Sequence, residues 1–141
     1  MITDSLKDRE AKIISEFEMF DDWMDKYEYI IDLGKELKGF PLENKREENL
    51  IRGCQSQVWL TSLEREGLIF FQAESDAIIT KGLVALMVRA LSGSSADEIL
   101  KADMRFVDAV GLKEHLSPNR SNGLVSMIKQ MKMYALAYSK K

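Results

Sequence analysis

The sequence predicts an α+β domain in which a small antiparallel sheet of about three strands packs with helices. Three observations carry this prediction: apolar residues at helical spacing in the first 40 positions, two β-branched or aromatic runs between residues 58 and 71, and helical spacing again from residue 76 onward. The order of helices, then hairpin, then helices is that of an α+β fold. A chain of 141 residues fits one domain, so we assign residues 1–141 to a single unit.

Two helices are predicted in the N-terminal third of the chain. The first begins at the capping residues within 4–8, and the second begins at Asp21 or Asp22 and is ended by the Gly-Phe-Pro run at 39–41. The charged residues 42–48 then predict a loop. The residues predicted to face inward are Leu6, Ile13, Phe17 and Phe20 in the first helix, and Trp23, Tyr27, Ile30, Ile31 and Leu37 in the second.

A β-hairpin follows. Residues 58–61 and 68–71 are rich in β-branched and aromatic side chains, and Gly67 stands in the short connection between them. Residues 49–51 predict a short third strand that leads into the segment containing Cys54.

The remainder of the chain predicts helices with clear starts and stops. Ser75 or Asp76 caps a third helix, which Gly93 closes, and residues 95–98 form a capping box for a short helix. Another short helix covers residues 104–110. The last helix starts at Ser117-Pro118, and its predicted inner stripe is Leu124, Ile128, Met131, Ala135 and Tyr138.

Composition narrows the possible functions. The net charge is −3 and no basic run is present, so we expect no nucleic-acid partner. The longest apolar run, residues 83–88, is too short to cross a bilayer, and the absence of a signal-like apolar segment at the N-terminus predicts a cytoplasmic protein. One cysteine and one histidine exclude the familiar Cys/His zinc sites, and no phosphate-binding glycine motif occurs. We therefore expect no cofactor or metal on this chain.

The cysteine, Cys54, stands in a polar stretch that suits a reactive thiol. Gly53 allows a tight turn before it, and Arg52 supplies positive charge that favours the thiolate. Gln55 follows directly and can donate a hydrogen bond to a sulfur anion, and residues 49–63 contain no carboxylate that would raise the pKa of the thiol.

Two other interpretations of these residues remain open. Free cysteine is among the most buried residue types, so Cys54 can equally be a small core hydrophobe. Alternatively, His115 can act as the base partner of a Cys54 nucleophile, as in acyl-transfer enzymes.

Four separated motifs resemble the SufE family of sulfur-acceptor proteins. The main one is Asn-Leu-Ile-Arg-Gly-Cys-Gln-Ser-Gln-Val-Trp at residues 49–59. The others are Trp23 with residues 27–34, residues 74–77 with 81–83, and residues 116–124, so the resemblance covers nearly the whole chain. One departure is Glu74, where the family commonly has aspartate.

The resemblance implies a fold shared with the IscU-type scaffolds and a specific activity. Proteins of this family bind a pyridoxal-phosphate cysteine desulfurase of the SufS or CsdA type, take its persulfide sulfur onto the cysteine corresponding to Cys54, and stimulate its turnover. They then pass the sulfur to an iron–sulfur scaffold of the SufB type, so the cofactor belongs to the partner. The resemblance also brings in Arg120, in the first turn of the last helix, as a residue that supports the partner or the anionic sulfur together with Arg52 and Gln55.

Three hypotheses thus follow from the sequence. The first is an accessory sulfurtransferase that carries sulfur on Cys54 and activates a desulfurase. The second is a cysteine hydrolase that uses His115, and the third is an interaction domain in which Cys54 is inert.

Overall fold

The computed structural model describes residues 5–37, 39–53 and 56–140 and confirms the α+β class. Seven helices and two strands are assigned in these residues. In chain order they are α1 (Leu6–Phe17), α2 (Trp23–Lys35), β1 (Val58–Arg65), β2 (Leu68–Ser75), α3 (Ile78–Leu91), α4 (Ala96–Lys101), α5 (Arg105–Ala109), α6 (Leu112–His115) and α7 (Pro118–Ser139). Two single 3₁₀ turns, Leu42–Asn44 and Glu47–Asn49, lie in the predicted loop.

The sheet has two strands where the sequence predicted about three. β1 pairs antiparallel with β2 from Val58 opposite Ser75 to Arg65 opposite Leu68, and the two-residue turn between them has positive φ at both residues. Residues 49–51 make only one isolated bridge, between Leu50 and Trp59, in the described part of the chain. A 3₁₀ turn precedes this bridge and the turn at residues 52–53 follows it, which leaves no room for a third strand.

Most predicted helix starts are confirmed by hydrogen bonds. Ser5 and Ser95 each close a capping box, and Asp22 and Ser117 accept from backbone N–H groups in the first turns of α2 and α7. α2 ends at Lys35, before the predicted stop at 39–41, because its last bonds tighten to the i−3 pattern.

The core lies where α3 passes beneath the hairpin and against α2. Leu86, Met87, Ala90 and Leu91 of α3 are fully buried, which makes this helix the centre of the domain. In the predicted stripe of α7, Leu124, Met131 and Ala135 are buried, and Ile128 and Tyr138 are half-buried.

α2 and α3 touch backbone to backbone at two glycines. A Cβ atom built on Gly82 would lie 2.2 Å from the carbonyl oxygen of Ile30, and one built on Gly34 would lie 2.8 Å from the amide nitrogen of Gly82. Only glycine permits this approach, which fixes the position of the N-terminal turn of α3.

An ion pair joins α1 to α3. Arg89 donates from both terminal nitrogens to the carboxylate of Glu16, at 2.7 and 2.5 Å, and the Tyr29 hydroxyl of α2 also donates to it. These bonds, chiefly the one from Arg89, lower the pKa of Glu16 from 4.5 to about 2. Because the folded-state pKa lies below the unfolded one, the stabilisation is present above pH 4.5 and is lost as the pH falls towards 2.

We therefore expect Glu16→Gln to lower the free energy of unfolding by about 2–3 kcal/mol at neutral pH. The difference from wild type should shrink steadily between pH 4.5 and about 2. Chemical denaturation of both proteins across this pH range measures it. Asp32→Asn, which removes an exposed ion pair with Lys35, is the control and should cost less than about 0.5 kcal/mol. A pH-independent difference for Glu16→Gln would contradict the assignment.

Candidate functional site

Residues 52–57, which we call the cysteine segment, connect Ile51 to the start of β1. Cys54 and Gln55 lie outside the described residues, so the roles predicted for them stay predictions. The structure does describe the residues on either side of these two. We call residues 51–53 the entry flank and residues 56–57 the exit flank.

The entry flank starts at a hydrogen bond to the hairpin, and its next two residues are exposed. Ile51 is buried and its N–H donates to the carbonyl of Val58 at 2.8 Å. Arg52 is exposed and sits in a turn with Gly53, whose φ of +93° is the left-handed conformation that glycine adopts without strain. The prediction that Gly53 turns the chain tightly before the cysteine is confirmed.

Gly53 also lies directly against α7. A Cβ built on it would be 2.5 Å from Oγ of Ser126. A larger residue at position 53 would require the Ser126 hydroxyl to rotate away, whereas the φ of +93° strains any substitution, so it is the backbone conformation that calls for glycine here.

The exit flank is held by the end of β2 and the first turn of α3. The backbone N–H of Gln57 donates to Oδ1 of Asp76 at 3.0 Å, and the Asp76 N–H donates back to the Gln57 carbonyl at 3.3 Å. The Ser75 hydroxyl donates to the same carbonyl at 2.9 Å, and the Thr80 hydroxyl donates to Ser56 Oγ at 3.4 Å. Four described hydrogen bonds therefore fix the chain just after the cysteine.

These bonds correct the predicted cap of α3. Ser75 is the last residue of β2, and the N-cap residue is Ala77, which makes no side-chain cap. Because Ser75 and Asp76 both bond to Gln57, they serve the cysteine segment instead of capping the helix. The structure also brings the Asp76 carboxylate to a segment whose own sequence neighbourhood has none.

Sequence reasoning missed Asp76, Thr80 and Ser126 as parts of the site. They lie 19 to 73 positions from their contacts in the cysteine segment, too far for local patterns to reveal. The sequence signals only Asp76, which belongs to the family motif at residues 74–77, whereas Thr80 and Ser126 lie outside all four motifs.

Arg120 and His115 lie against α2. The Arg120 guanidinium donates to the Tyr27 hydroxyl at 3.3 Å, and the His115 ring stacks on Trp23 with centroids 4.3 Å apart and planes 12° from parallel. Within the described residues no hydrogen bond joins His115 to either flank of the cysteine segment. Nothing in this geometry specifically supports a histidine base for Cys54.

A crevice of about 410 Å³ lies between the entry flank and α7. Ile51 and Arg52 line one wall, and Ser126, Lys129 and Met133 line the other. Two cationic side chains, Arg52 and Lys129, line this crevice together with the carboxylate of Glu48.

Two findings concern metal ions and membranes. The described part of the chain contains no group of three or more His, Cys, Asp or Glu side chains placed to hold a metal ion. It also contains no helix that is both long enough and apolar enough to span a bilayer.

Comparisons with known proteins agree with the motifs. Residues 11–135 match the family model described as SufE, Fe-S metabolism associated domain. An uncharacterized SufE-like protein of Rhizobium meliloti is 43% identical over 129 residues, which cover 88% of this chain and 92% of that protein. An uncharacterized SufE-like protein of Synechocystis is 37% identical, over 91% of this chain and 80% of that one.

A plant relative is longer. SufE-like protein 1, chloroplastic/mitochondrial, of Arabidopsis thaliana is 39% identical over 89% of this chain but only 34% of its own length. Among solved structures, a hypothetical protein from Thermus thermophilus superposes with a TM-score of 0.79 over 94% of this chain and 97% of that chain. At 16% identity this match supports the fold alone.

Proposed function

The chain belongs to the SufE family, whose domain is associated with iron–sulfur metabolism, and from that premise we propose that it carries sulfur on Cys54. A cysteine desulfurase of the SufS or CsdA type donates the sulfur, and a SufB-type scaffold receives it for cluster assembly. The observation that carries the proposal is that the chain is held on both sides of the cysteine: Gly53 lies against Ser126, and the Gln57 N–H donates to Asp76.

The transfer is a thiol exchange. The Cys54 thiolate attacks the outer sulfur of the donor persulfide, the sulfur–sulfur bond of the donor breaks, and the donor cysteine leaves as a thiolate. Cys54 becomes a persulfide without net oxidation or reduction, so the step needs no metal or cofactor on this chain. Pyridoxal phosphate belongs to the desulfurase, which first removes the sulfur from free cysteine.

Incubation with a cysteine desulfurase and L-cysteine, followed by intact-mass measurement, tests the proposal. The expected product carries one or more added sulfur atoms, and desulfurase turnover rises with the concentration of this protein. Unchanged mass together with unchanged turnover would contradict it.

We expect the cysteine segment to have two positions. In the first the hydrogen bonds of the exit flank hold it against the domain, and in the second it is released when a partner docks. A bare persulfide is easily lost or oxidised, so a carrier gains by sheltering it until a partner docks. Asp76→Ala removes the acceptor of the Gln57 N–H, a bond worth about 1 kcal/mol in an exposed setting, and should speed amide exchange in residues 52–57 about fivefold. Docking of the desulfurase should speed the same amides in the wild type.

Asp97→Ala is the matched control for this experiment. Asp97 is also an exposed aspartate, ion-paired with Lys101 on α4. It should leave exchange in residues 52–57 unchanged. Equal exchange in wild type and Asp76→Ala, with or without desulfurase, would show that the segment has one position.

Arg120 is expected to contribute to docking or to steady the anionic sulfur. Arg120→Ala should lower desulfurase stimulation at sub-saturating protein by an amount equivalent to roughly 1–3 kcal/mol, the range of a charge-assisted hydrogen bond. Arg120→Lys should recover only part of it because the forked donor set is lost. The melting temperature should stay close to wild type, since the side chain is exposed.

Tyr27→Phe separates this role from a structural one. It deletes the hydroxyl that Arg120 contacts but leaves the guanidinium in place. Stimulation should therefore remain near wild type in Tyr27→Phe. A loss as large as that of Arg120→Ala would mean that Arg120 only holds α7 to α2.

A further inference from the structure

An apolar groove of about 760 Å³ runs along the outer side of α7, opposite α4 and α5. Three apolar side chains of α7 that line it are strongly exposed: Val125 at 57%, Met133 at 55% and Leu136 at 45%. Clustered exposure of this kind on one helix is typical of an interaction surface.

The groove is continuous with the candidate site. Lys129 and Met133 line both the groove and the crevice whose far wall is Ile51 and Arg52. Ser126, which contacts Gly53, lies on α7 next to Val125. A partner seated in the groove therefore contacts Lys129 and Met133, which also line the crevice at the entry flank.

Charged side chains line both rims of the groove. Lys129 and Lys132 line it on α7, and the ammonium of Lys132 donates to the carbonyl of Ala102. Asp103, which forms an ion pair with Arg105 at 2.9 Å, and Asp108 line the opposite rim. The α7 side of the groove extends from Ser121 to Leu136, a length of about 22 Å at 1.5 Å per residue. An apolar trough of this length matches about four turns of an amphipathic helix.

We propose that this groove seats an amphipathic helix of the persulfide donor, an inference that rests on the proposed sulfur-carrier function. The helix has a carboxylate on the edge that lies on α7, where it faces the exposed Lys129. Its apolar face covers Val125, Met133 and Leu136. The donor is the occupant because its persulfide must reach Cys54, and the groove shares Lys129 and Met133 with the crevice that Arg52 lines.

The test is a titration of the protein into a desulfurase reaction with L-cysteine, using the desulfurase of the same organism. The double variant Val125→Glu/Leu136→Glu changes two exposed groove residues that do not line the crevice, and it should raise the concentration for half-maximal stimulation about tenfold or more. Maximal stimulation should stay unchanged, because the cysteine segment is intact. Met19→Glu/Met24→Glu is the matched control, with two methionines exposed at 78% and 66% at the α1–α2 corner, and it should titrate like wild type.

Binding measurements keep this inference separate from the proposed function. Cys54→Ser should bind the desulfurase as tightly as wild type, and Val125→Glu/Leu136→Glu should bind it weakly. If wild type takes up sulfur but the groove variant titrates identically, only the groove inference is overturned. If no variant binds the desulfurase, both fail. If sedimentation shows a wild-type dimer that the groove variant dissociates, the occupant is a second copy of this chain and the inference is wrong.

Discussion

Cys54→Ser is expected to abolish both sulfur uptake and stimulation of the desulfurase. The substituted oxygen is a poor attacker of a persulfide at neutral pH, since the reactive form of cysteine is the thiolate. Serine is close in size to cysteine, so the melting temperature and the bonds of the exit flank should be preserved. Intact mass after incubation with desulfurase and L-cysteine, together with the rate of sulfide release under reducing conditions, measures the two losses.

The reactivity of the native thiol decides among the three hypotheses from the sequence. A sulfur carrier should react with a thiol reagent while folded, whereas an inert core cysteine should react only when the protein unfolds. A hydrolase that uses His115 should give an acyl-enzyme burst with activated esters, and His115→Ala should remove it. Full desulfurase stimulation by Cys54→Ser would show that the thiol is not the sulfur acceptor.

The parts of the fold that could be predicted are those with local causes. Ser5, Asp22, Ser95 and Ser117 cap helices because their own side chains reach N–H groups three residues away, and the sequence shows this directly. The third strand could not be judged in the same way. Residues 49–51 have strand-like side chains, but whether they extend the sheet depends on where the following turn leads the chain.

The site required tertiary information. Asp76 resembles a helix cap in sequence because an acid before an apolar helical run usually is one. In the structure the Asp76 carboxylate accepts a hydrogen bond from the Gln57 N–H, and α3 starts without a side-chain cap. Similarly, Ser126 is an ordinary helix residue in the sequence and becomes part of the site only because α7 passes under Gly53.

The family motifs gain a physical meaning from these contacts. Glu74 and Lys81, in two parts of one motif, form an ion pair of 3.0 Å, so the glutamate at position 74 supplies the carboxylate that the family commonly has there as aspartate. Gly34 ends the second-helix motif and Gly82 stands in the third-helix motif, and the two meet where α2 and α3 cross. The resemblance therefore rests on residues that set the position of α3, whose first turn holds the exit flank.

Gly82→Ala is expected to be the most damaging change for stability in this set. The added Cβ would lie 2.2 Å from the carbonyl oxygen of Ile30 and 2.6 Å from its Cγ2 atom, and a backbone atom cannot turn aside as a flexible side chain can. α2 and α3 must separate, which opens the packing around the fully buried Ile30. We expect a cost of about 3 kcal/mol and a fall in melting temperature of about 10 °C.

Further variants make this prediction specific. Gly39→Ala places a side chain at φ +81° with nothing within 4 Å, so it should cost only about 1 kcal/mol from backbone strain. Gly34→Ala acts at the same crossing, and once one alanine has parted the helices the second should cost less; the double variant should therefore lose less than the sum of the two. Thermal and chemical denaturation of these variants and wild type measures the differences. A Gly82→Ala protein as stable as wild type, or strictly additive losses at positions 34 and 82, would show that α2 and α3 do not cross in backbone contact there.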